Sequence, residues 1–593
     1  MYKKYSKLMM VLCILFSNQC HEGAQKSSSE RQQSSAINLD ALTDIMMNGQ
    51  RGFKWHHDTS ICYAEIQNLE KDLNYAEIVK KFNCTTPLGQ IYLLETLQHP
   101  LSPIDQKGVL QFRRNAIEAL VKNPSMYQSI QTLLDEASVE LMQVAQLVDR
   151  PLEYRFNEFT GKGEFKPKEE STDIVATTFF DALSFAWGIP SSALLLILPG
   201  WVAYRGWQYP GPITGIGIDN PGGFWGGAQA MVPAVIAAGY LAILSGPMRF
   251  FYKQACRQRN MIYALRRLFD IADRLETLCL KYNFDIQFYG SDCQKNRLSR
   301  KILDEMAHDR YRHESSHLFF ISAVRVLGAE IRLHRDRLAP LFAMIAEIDA
   351  LAMFARKIIE SKDTANKFCV VDFIESERPE IQAKQFWNIL VNTGVTQKIV
   401  ANDLFEKRSI ILTGPNEGGK TTSIRSILQN ILLGQTFGVA AAEEFKFTPF
   451  NVIHSYLSIG DDILQGQSRF ASEVRQAQDI IHRMQTLKSS EKFFFALDEL
   501  FTGTNGKDGE SCAYNFIDNI GSFVNVQFIY ATHFDKLKTI QAENPLCSNY
   551  KVDAPVRNLA GKFVYPYTFS PGANTSYIAL DRAREAGIFK PGV

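Results

Sequence analysis

The spacing of apolar and polar residues divides the chain into stretches of different periodicity. From about residue 40 to 160, apolar residues recur every three or four positions, as in SIQTLLDEASVELMQVAQLV, which predicts amphipathic helices. A second helical stretch is predicted from about 250 to 365. After about residue 400, short apolar runs such as SIILTG, FFFALDE and VQFIYATH alternate with helical segments. This alternation is the pattern of an α/β nucleotide-binding domain.

Two uncharged runs, residues 182–204 and 228–248, separate the two helical stretches. About 20 apolar residues suffice to span a bilayer as a helix. The link between the runs is rich in Gly and Pro, which argues against a continuous helix. Lysines and arginines flank the pair on both sides, so the positive-inside bias favours a transmembrane hairpin with cytoplasmic flanks. The expected localisation is therefore a multi-pass inner-membrane protein, and two buried core helices are the alternative.

The N-terminus carries a competing signal. Lys3, Lys4 and Lys7 precede a short apolar run from Leu8 to Phe16, which is the shape of a secretory signal. A polar, Ser- and Gln-rich stretch at 23–37 follows and predicts a flexible tether. A cleaved signal would place the nucleotide-binding domain outside the cell, where it would lack ATP. The hairpin is therefore given precedence, and whether residues 1–20 are cleaved stays open.

Length and composition bound the remaining possibilities. A chain of 593 residues is too long for one hydrophobic core, so several domains are expected. Lys and Arg (64) nearly balance Asp and Glu (63), so nucleic-acid binding would need a local basic patch. The ten cysteines form no CxxC pair, which argues against a zinc site or a disulfide framework. The predicted divisions are a signal-like or flexible N-terminus (1–40), a first helical core and lever part (41–172), the transmembrane hairpin (173–250), a second helical lever part (251–395) and an ATPase domain (396–593).

The loop in ILTGPNEGGKTT has the spacing of a phosphate-binding loop. Residues 414–421 fit G-x-x-x-x-G-K-[ST] between an apolar strand and an amphipathic helix. Glycines allow backbone N–H groups to turn toward phosphates, a lysine supplies a cation to the β and γ oxygens, and a hydroxyl can ligate Mg²⁺. ATP and Mg²⁺ are the expected ligands. The nucleotide-binding residues predicted in this loop are Gly414, Gly418, Gly419, Lys420, Thr421 and Thr422.

Two later strands end in residues suited to hydrolysis. FFFALDE ends in Asp498, a predicted Mg²⁺ ligand with Thr421, and Glu499, a predicted base that activates water. The strand VQFIYA is followed by Thr532 and His533, and an imidazole at a strand end can contact the γ-phosphate. A histidine at such a place is usually structural, but its position after the two other motifs favours a catalytic role. The three motifs together predict an ATPase of the ABC type.

Residues 400–590 resemble the ATPase domain of the MutS mismatch-repair family. The resemblance rests on GPNEGGKTT, LSIGDDILQGQSRFASEV, DELFTGTNGKDG, ATHFDKL and the tail YTFSPGANTSYIALDRAREAGI. Residues 84–123 and 342–355 are similar to the family's core and lever helices. The resemblance implies that Asn416 belongs to the nucleotide loop. It also implies that Ser468 reaches the nucleotide of the opposite subunit in a homodimer.

Departures from the family pattern bear on function. No N-terminal mismatch-reading domain is recognised, and the uncharged runs interrupt the lever region. The sequence therefore predicts an all-α core and lever with a membrane hairpin, followed by an α/β ATPase domain. The expected function is a membrane-anchored dimer that couples ATP turnover to binding of mismatched or irregular DNA. The alternative is an ATP-gated membrane scaffold or transporter-like machine that binds no DNA. The densest basic stretch available for DNA contains Arg325, Arg332, Arg335 and Arg337.

Overall fold

The structure is a computed structural model. It describes residues 63–103, 106–148, 152–157, 162–167, 255–282, single positions and short pieces of 324–332, and 335–588 with gaps at 392–398, 458–468, 560–562, 577 and 586. The backbone alone is described at 152–157 and 162–167. All statements below concern these residues.

Eleven helices have defined bounds within the described chain. They are α1 (Leu69–Leu73), α2 (Tyr75–Phe82), α3 (Pro87–Leu97), α4 (Gln111–Lys122), α5 (Pro124–Val148), α6 (Ala339–Ser361), α7 (Lys420–Phe437), α8 (Arg469–Thr486), α9 (Gly506–Ile520), α10 (Ile540–Glu543) and α11 (Ala579–Glu585). Residues 255–281 are also helical. A π-helical turn occupies Gln106–Leu110, and 3₁₀ turns occupy Arg335–Leu338 and Lys536–Thr539.

Strands lie both before and after the long helices. They are β1 (Glu65–Gln67), β2 (Leu152–Asn157), β3 (Lys162–Pro167), β4 (Cys369–Val370), β5 (Asp372–Phe373), β6 (Ile381–Phe386), β7 (Asn402–Glu406), β8 (Ser409–Thr413), β9 (Val439–Ala440), β10 (Glu444–Phe447), β11 (Val452–Tyr456), β12 (Phe493–Asp498), β13 (Val526–Thr532), β14 (Cys547–Val552), β15 (Val556–Arg557), β16 (Phe563–Val564) and β17 (Phe569–Pro571).

The central sheet has seven strands in the order β1-β11-β12-β13-β8-β14-β17. All neighbouring pairs are parallel except β14 and β17. Strands β8, β11 and β13 are buried at every position, as expected for parallel strands covered on both faces. The parallel arrangement brings the carboxyl ends of β8, β12 and β13 to one edge of the sheet. The residues that follow these three strands therefore lie close together.

Strand β1 comes from the N-terminal part of the chain and pairs with β11 of the central sheet. A second sheet has the order β5-β10-β6-β7. Helix α6 packs against α3 and α4 in the helical region, and Asp349 fastens it to the start of α3. The Asp349 carboxylate accepts hydrogen bonds from the Thr86 hydroxyl at 2.7 Å and from the backbone of Thr85 and Thr86. Burial raises the pKa of Asp349 to about 6.

A buried polar network links this helical region to the C-terminal end of α7. Arg113 of α4 is 1% exposed and donates to the Thr436 carbonyl at 2.6 Å and to the Tyr92 hydroxyl at 2.9 Å. Tyr92 in turn donates to Glu347 at 2.8 Å, and the Arg113 Nε lies 3.7 Å from the same carboxylate oxygen. The guanidinium also lies over the ring of Phe437. A cation here is favoured by the negative end of the α7 dipole.

The structure corrects the expected fold class. The first part of the chain is not all-α, because β1 joins the central sheet and β2 pairs with β3 as an antiparallel hairpin. No helix in the described residues is long and apolar enough to cross a bilayer, so the transmembrane hairpin and the inner-membrane localisation were wrong. The runs on which they rested, 182–204 and 228–248, lie outside the described residues. The inference equated absence of charge with an apolar helix, although both runs contain Gly, Pro and Ser.

We predict that Arg113→Met lowers the free energy of unfolding by about 3–5 kcal/mol, because it leaves the Glu347 carboxylate buried without its cation. The neighbouring Arg114→Met is the matched control. Arg114 is partly exposed and pairs with Glu118 and Asp372, so its loss should cost less than about 1 kcal/mol. The measurement is chemical denaturation of the full chain. Equal destabilisation by both variants would contradict the prediction, and adding Glu347→Gln to Arg113→Met should recover part of the loss.

Candidate nucleotide site

The phosphate loop connects β8 to α7, and its glycines are required by the geometry. Gly419 has φ +98° and directly precedes the first helical residue, Lys420. A Cβ on Gly418 would lie 2.9 Å from the Pro415 carbonyl oxygen. A side chain at either position would strain or displace the loop. The loop thus directs the N-terminus of α7 toward the edge where β12 and β13 end, as anion binding at a helix start requires.

Thr421 and Asp498 are brought together from α7 and the end of β12. The Thr421 hydroxyl donates to Asp498 Oδ2 at 2.5 Å. Burial raises the pKa of Asp498, and the hydrogen bond from Thr421 opposes that shift. The other carboxylate oxygen, Oδ1, is buried without a hydrogen-bond partner within the described structure. A buried oxygen of this kind beside a hydroxyl is suited to a hard cation such as Mg²⁺, which takes one or two protein oxygens together with phosphates and water.

Lys420, Glu499 and His533 form a charged cluster beside this pair. His533 Nε2 lies 2.8 Å from Glu499 Oε1 and 2.8 Å from Lys420 Nζ. Lys420 Nζ lies 3.7 Å from Glu499 and donates to the Gly414 carbonyl at 3.2 Å. Hydrogen bonding to His533 lowers the pKa of Glu499, while burial lowers the pKa of Lys420 against the opposing attraction of Glu499. The carboxylate is therefore held ionised next to the phosphate-loop cation.

The backbone after β12 is held in an unusual conformation. Glu499 and Phe501 have φ of 55° and 69°, a region that residues other than glycine seldom adopt. Three hydrogen bonds hold this turn: the Glu499 N–H donates to Ala531, the Thr502 hydroxyl donates to the Glu499 carbonyl, and Tyr530 donates to the Leu500 carbonyl. The turn fixes the carboxylate of Glu499 at the sheet edge. Backbone strain of this kind commonly occurs at functional sites.

Glu473 supports the same turn and was not singled out from the sequence as a site residue. It lies on α8, is 0% exposed, and accepts a hydrogen bond from the Gly503 backbone N–H at 3.0 Å. It also accepts from Arg469 at 3.2 Å. Its place in the SRFASEV stretch, within the segment that resembles the MutS family, was the available signal. Glu473 thus ties the segment after Glu499 to the helix that follows residue 468.

Two cavities adjoin the phosphate loop. The first has a volume of about 420 Å³ and combines the loop, Glu499 and the ring of Tyr567 with the apolar side chains of Val391 and Ile399. Apolar and aromatic walls beside phosphate-binding groups are suited to a nucleotide. The second cavity, of about 360 Å³, lies toward His533 and is lined by Lys538, Asn574 and Arg582 among others. Tyr567, Val391 and Ile399 were not predicted, because such residues have no signature of their own in one sequence.

The structure brings most of the predicted site residues to one place. The residues that contact one another or line the two cavities are Gly414, Asn416, Gly419, Lys420, Thr421, Thr422, Asp498, Glu499 and His533. Gly418 lies in the loop between them. Ser468 lies outside the described residues, one position before α8. The arrangement can hold a phosphate chain between a cation, backbone N–H groups and a Mg²⁺-binding pair.

Comparison with known proteins locates the similarity in the same part of the chain. Residues 410–591 match the family model of MutS domain V. The DNA mismatch repair protein MutS of Chloroflexus aurantiacus is 26% identical over 265 residues, which cover 44% of this chain and 26% of that protein. The MutS of Fusobacterium nucleatum is 28% identical over 267 residues, covering 44% and 28%. The matches support a relationship to MutS proteins, and the chain spans little more than a quarter of the length of these relatives.

We predict that Lys420→Ala abolishes binding of a nucleoside triphosphate, because the ammonium is the cation of the phosphate loop. Lys446→Ala, which removes an exposed lysine from β10, is the matched control and should bind like the wild type. Titration of both variants with a fluorescent ATP analogue in the presence of Mg²⁺ measures the effect. Wild-type affinity in the Lys420 variant would show that the loop does not bind phosphate as described.

Proposed function

We propose that this protein binds ATP with Mg²⁺ in the first cavity and hydrolyses it. The observation that carries the proposal is the contact between Thr421 and Asp498, with Lys420, Glu499 and His533 beside it. These residues come from three chain segments and meet at one sheet edge. The similarity of residues 410–591 to MutS domain V supports the same activity. An ABC-type arrangement of the ATPase, with the site shared between two subunits, is the finer part of the proposal.

The described residues fit a bound magnesium ion. Thr421 and Asp498 would hold it through the hydroxyl and the buried Oδ1, which has no hydrogen-bond partner among the described residues. Bound Mg²⁺ would neutralise charge on the β- and γ-phosphates. No group of three or more His, Cys, Asp or Glu residues that could form a metal cage occurs among the described residues. A site with few protein ligands accords with magnesium, which retains water and phosphate oxygens.

The remaining residues have distinct roles in the proposed reaction. Lys420 binds the β and γ oxygens electrostatically. Glu499 takes a proton from the attacking water, which its ionised carboxylate and fixed position allow. His533 lies within hydrogen-bond distance of both side chains, and it would orient the carboxylate and contact the γ-phosphate. A phosphate bound at the loop would compete with Glu499 for Lys420, which would free the carboxylate to accept a proton.

We predict that Glu499→Gln lowers kcat for ATP hydrolysis by about 10²–10⁴-fold, because the amide cannot accept the proton of the water. ATP binding should persist, since Lys420, Thr421 and Asp498 remain. Glu491→Gln, which alters a partly exposed carboxylate two residues before β12, is the control and should keep its activity. The measurements are steady-state phosphate release and ATP affinity. Unchanged turnover in the Glu499 variant would rule out this base.

A homodimer is the proposed assembly. In the MutS resemblance, Ser468 completes the nucleotide site of the opposite subunit. Helix α8, which begins one residue later, is anchored by Glu473 to the turn that carries Glu499. The first residues of α8, Arg469 and Phe470, therefore lie next to Gly503, close to the catalytic edge of the sheet. A second chain that docks on this edge would bury each ATP between two subunits.

Mixing of inactive chains tests this assembly. We predict that Lys420→Ala chains and Ser468→Arg chains, each inactive alone, recover part of the ATPase activity when combined. A hybrid dimer would have one site with intact Lys420 from one chain and intact Ser468 from the other. Co-assembly is verified by differential tagging and pull-down. Absence of recovery despite co-assembly, or full turnover by a demonstrated monomer, would contradict a composite site.

We propose that the protein binds DNA and that ATP turnover is coupled to this binding. The proposal rests on the relatives, which are DNA mismatch repair proteins. The basic stretch predicted from the sequence gives it little support, because Arg335 donates to the Val148 carbonyl at 3.2 Å and Arg325 lies outside the described residues. The deciding experiment compares the ATPase rate without DNA and with duplex, mismatched and branched DNA. A rate indifferent to all three would contradict the DNA proposal and leave ATP hydrolysis intact.

A further inference from the structure

The phosphate loop contains a carboxylate, that of Glu417, which would repel a bound triphosphate. Glu417 lies between Asn416 and Gly418, and its backbone has φ 66°, in the left-handed region. Its side chain is 61% exposed. Each ATP phosphate adds negative charge within this loop, so an uncompensated carboxylate there would oppose binding. The loop therefore needs a cation besides Lys420 in order to offset Glu417.

The C-terminal segment supplies that cation. Arg582 of α11 donates from Nη2 to Glu417 Oε2 at 2.7 Å, and the Tyr565 hydroxyl donates to the same oxygen at 3.2 Å. Tyr565 stacks on Tyr567 with ring centroids 5.8 Å apart. The Tyr567 ring lies against Gly419, 3.1 Å from the position that a Cβ would occupy. The C-terminal segment thus contacts the phosphate loop at two places, through Arg582 and Tyr565 at Glu417 and through Tyr567 at Gly419.

Glu417 lies where the two cavities meet. Pro415, Asn416 and Glu417 line both cavities, whereas Arg582 lines only the second, together with His533. The pair therefore separates the nucleotide cavity from a cavity that reaches the His533 side of the site. Arg582 draws the carboxylate toward the second cavity. With its charge paired in this way, Glu417 adds less repulsion to a phosphate chain bound at the loop.

Resting on the proposed ATP binding, we propose that Arg582 is a positioning residue that neutralises and holds Glu417, and that it thereby sets the preference of the site for ATP over ADP. The two nucleotides differ by one charged phosphate, so a carboxylate without its partner penalises ATP more. A purely structural role of the pair would affect both nucleotides alike. The pair is exposed on both sides, and such pairs contribute little to folding stability, so its removal leaves the domain intact.

The test measures affinity for ADP and for a non-hydrolysable ATP analogue, each with Mg²⁺, on the full-length chain. The variants are Arg582→Gln, Glu417→Gln and the double variant. Arg584→Gln is the matched control, because Arg584 lies on the same helix, is 58% exposed and pairs with Asp581 instead. Thermal unfolding of each variant verifies that the fold is retained. A salt series from 50 to 500 mM, about 14 to 4 Å in Debye length, tests the electrostatic origin.

We expect Arg582→Gln to lower the affinity for the ATP analogue about fivefold and the affinity for ADP less than about twofold. This difference should shrink at high salt. The double variant should return the ratio of the two affinities to the wild-type value, since both charges are gone. Arg584→Gln should bind like the wild type. Equal weakening of both nucleotides, or a double variant as impaired as Arg582→Gln, would overturn the proposal.

The proposed function itself fails by a different result. If the wild type binds neither nucleotide, or if Lys420→Ala binds the ATP analogue as well as the wild type, then nucleotide binding at this loop is wrong and the role of Arg582 is wrong with it. If binding depends on Lys420 while Arg582→Gln leaves the ratio unchanged, only the role of Arg582 is overturned.

Discussion

Helix α7 is buried along almost its whole length, and this burial constrains the rest of the molecule. Its first residues, Lys420 and Thr421, form the nucleotide site, and its last turn accepts the Arg113 guanidinium at the Thr436 carbonyl. A helix of 18 residues is about 27 Å long and stiff over that length. The side chain of Gln435 adds hydrogen bonds to the Leu101 and Phe450 carbonyls. A displacement at the phosphate loop therefore requires either a bend in α7 or a shift of its packing partners.

The electrostatics of the site follow from the same burial. Lys420 is 6% exposed, so its ammonium has lost most of its hydration and attracts nearby carboxylates strongly. Glu499, Asp498 and the Gly414 carbonyl compensate it in the described structure. Asp498 is itself desolvated, which raises its pKa and makes a nearby cation favourable. The opposite charges of Lys420 and Asp498 therefore stabilise each other at this edge of the sheet.

The sequence predicted those features of the site that are local in the chain. Strands β8, β12 and β13 lie where apolar runs predicted them, because each run is short, rich in β-formers and followed by polar residues. Contacts between distant segments had no such signal. Strand β1 has three residues and no motif, yet it pairs with β11. The Arg582 contact to Glu417 likewise joins exposed residues far apart in the chain. The membrane inference was wrong because absence of charge was its main criterion.

A buried contact of helix α1 with strand β11 connects the N-terminal part of the chain to the central sheet. Asp72 of α1 is buried and accepts hydrogen bonds from the Ser455 hydroxyl at 2.8 Å and the Leu457 N–H at 3.0 Å. Ser455 lies in β11, and Leu457 directly follows this strand. Arg113 donates a hydrogen bond to the last turn of α7, and Asp72 accepts hydrogen bonds at the end of β11. The N-terminal part of the chain thus contacts both α7, whose first residues form the nucleotide site, and a strand of the central sheet, so a shift of this part relative to the sheet would break buried hydrogen bonds.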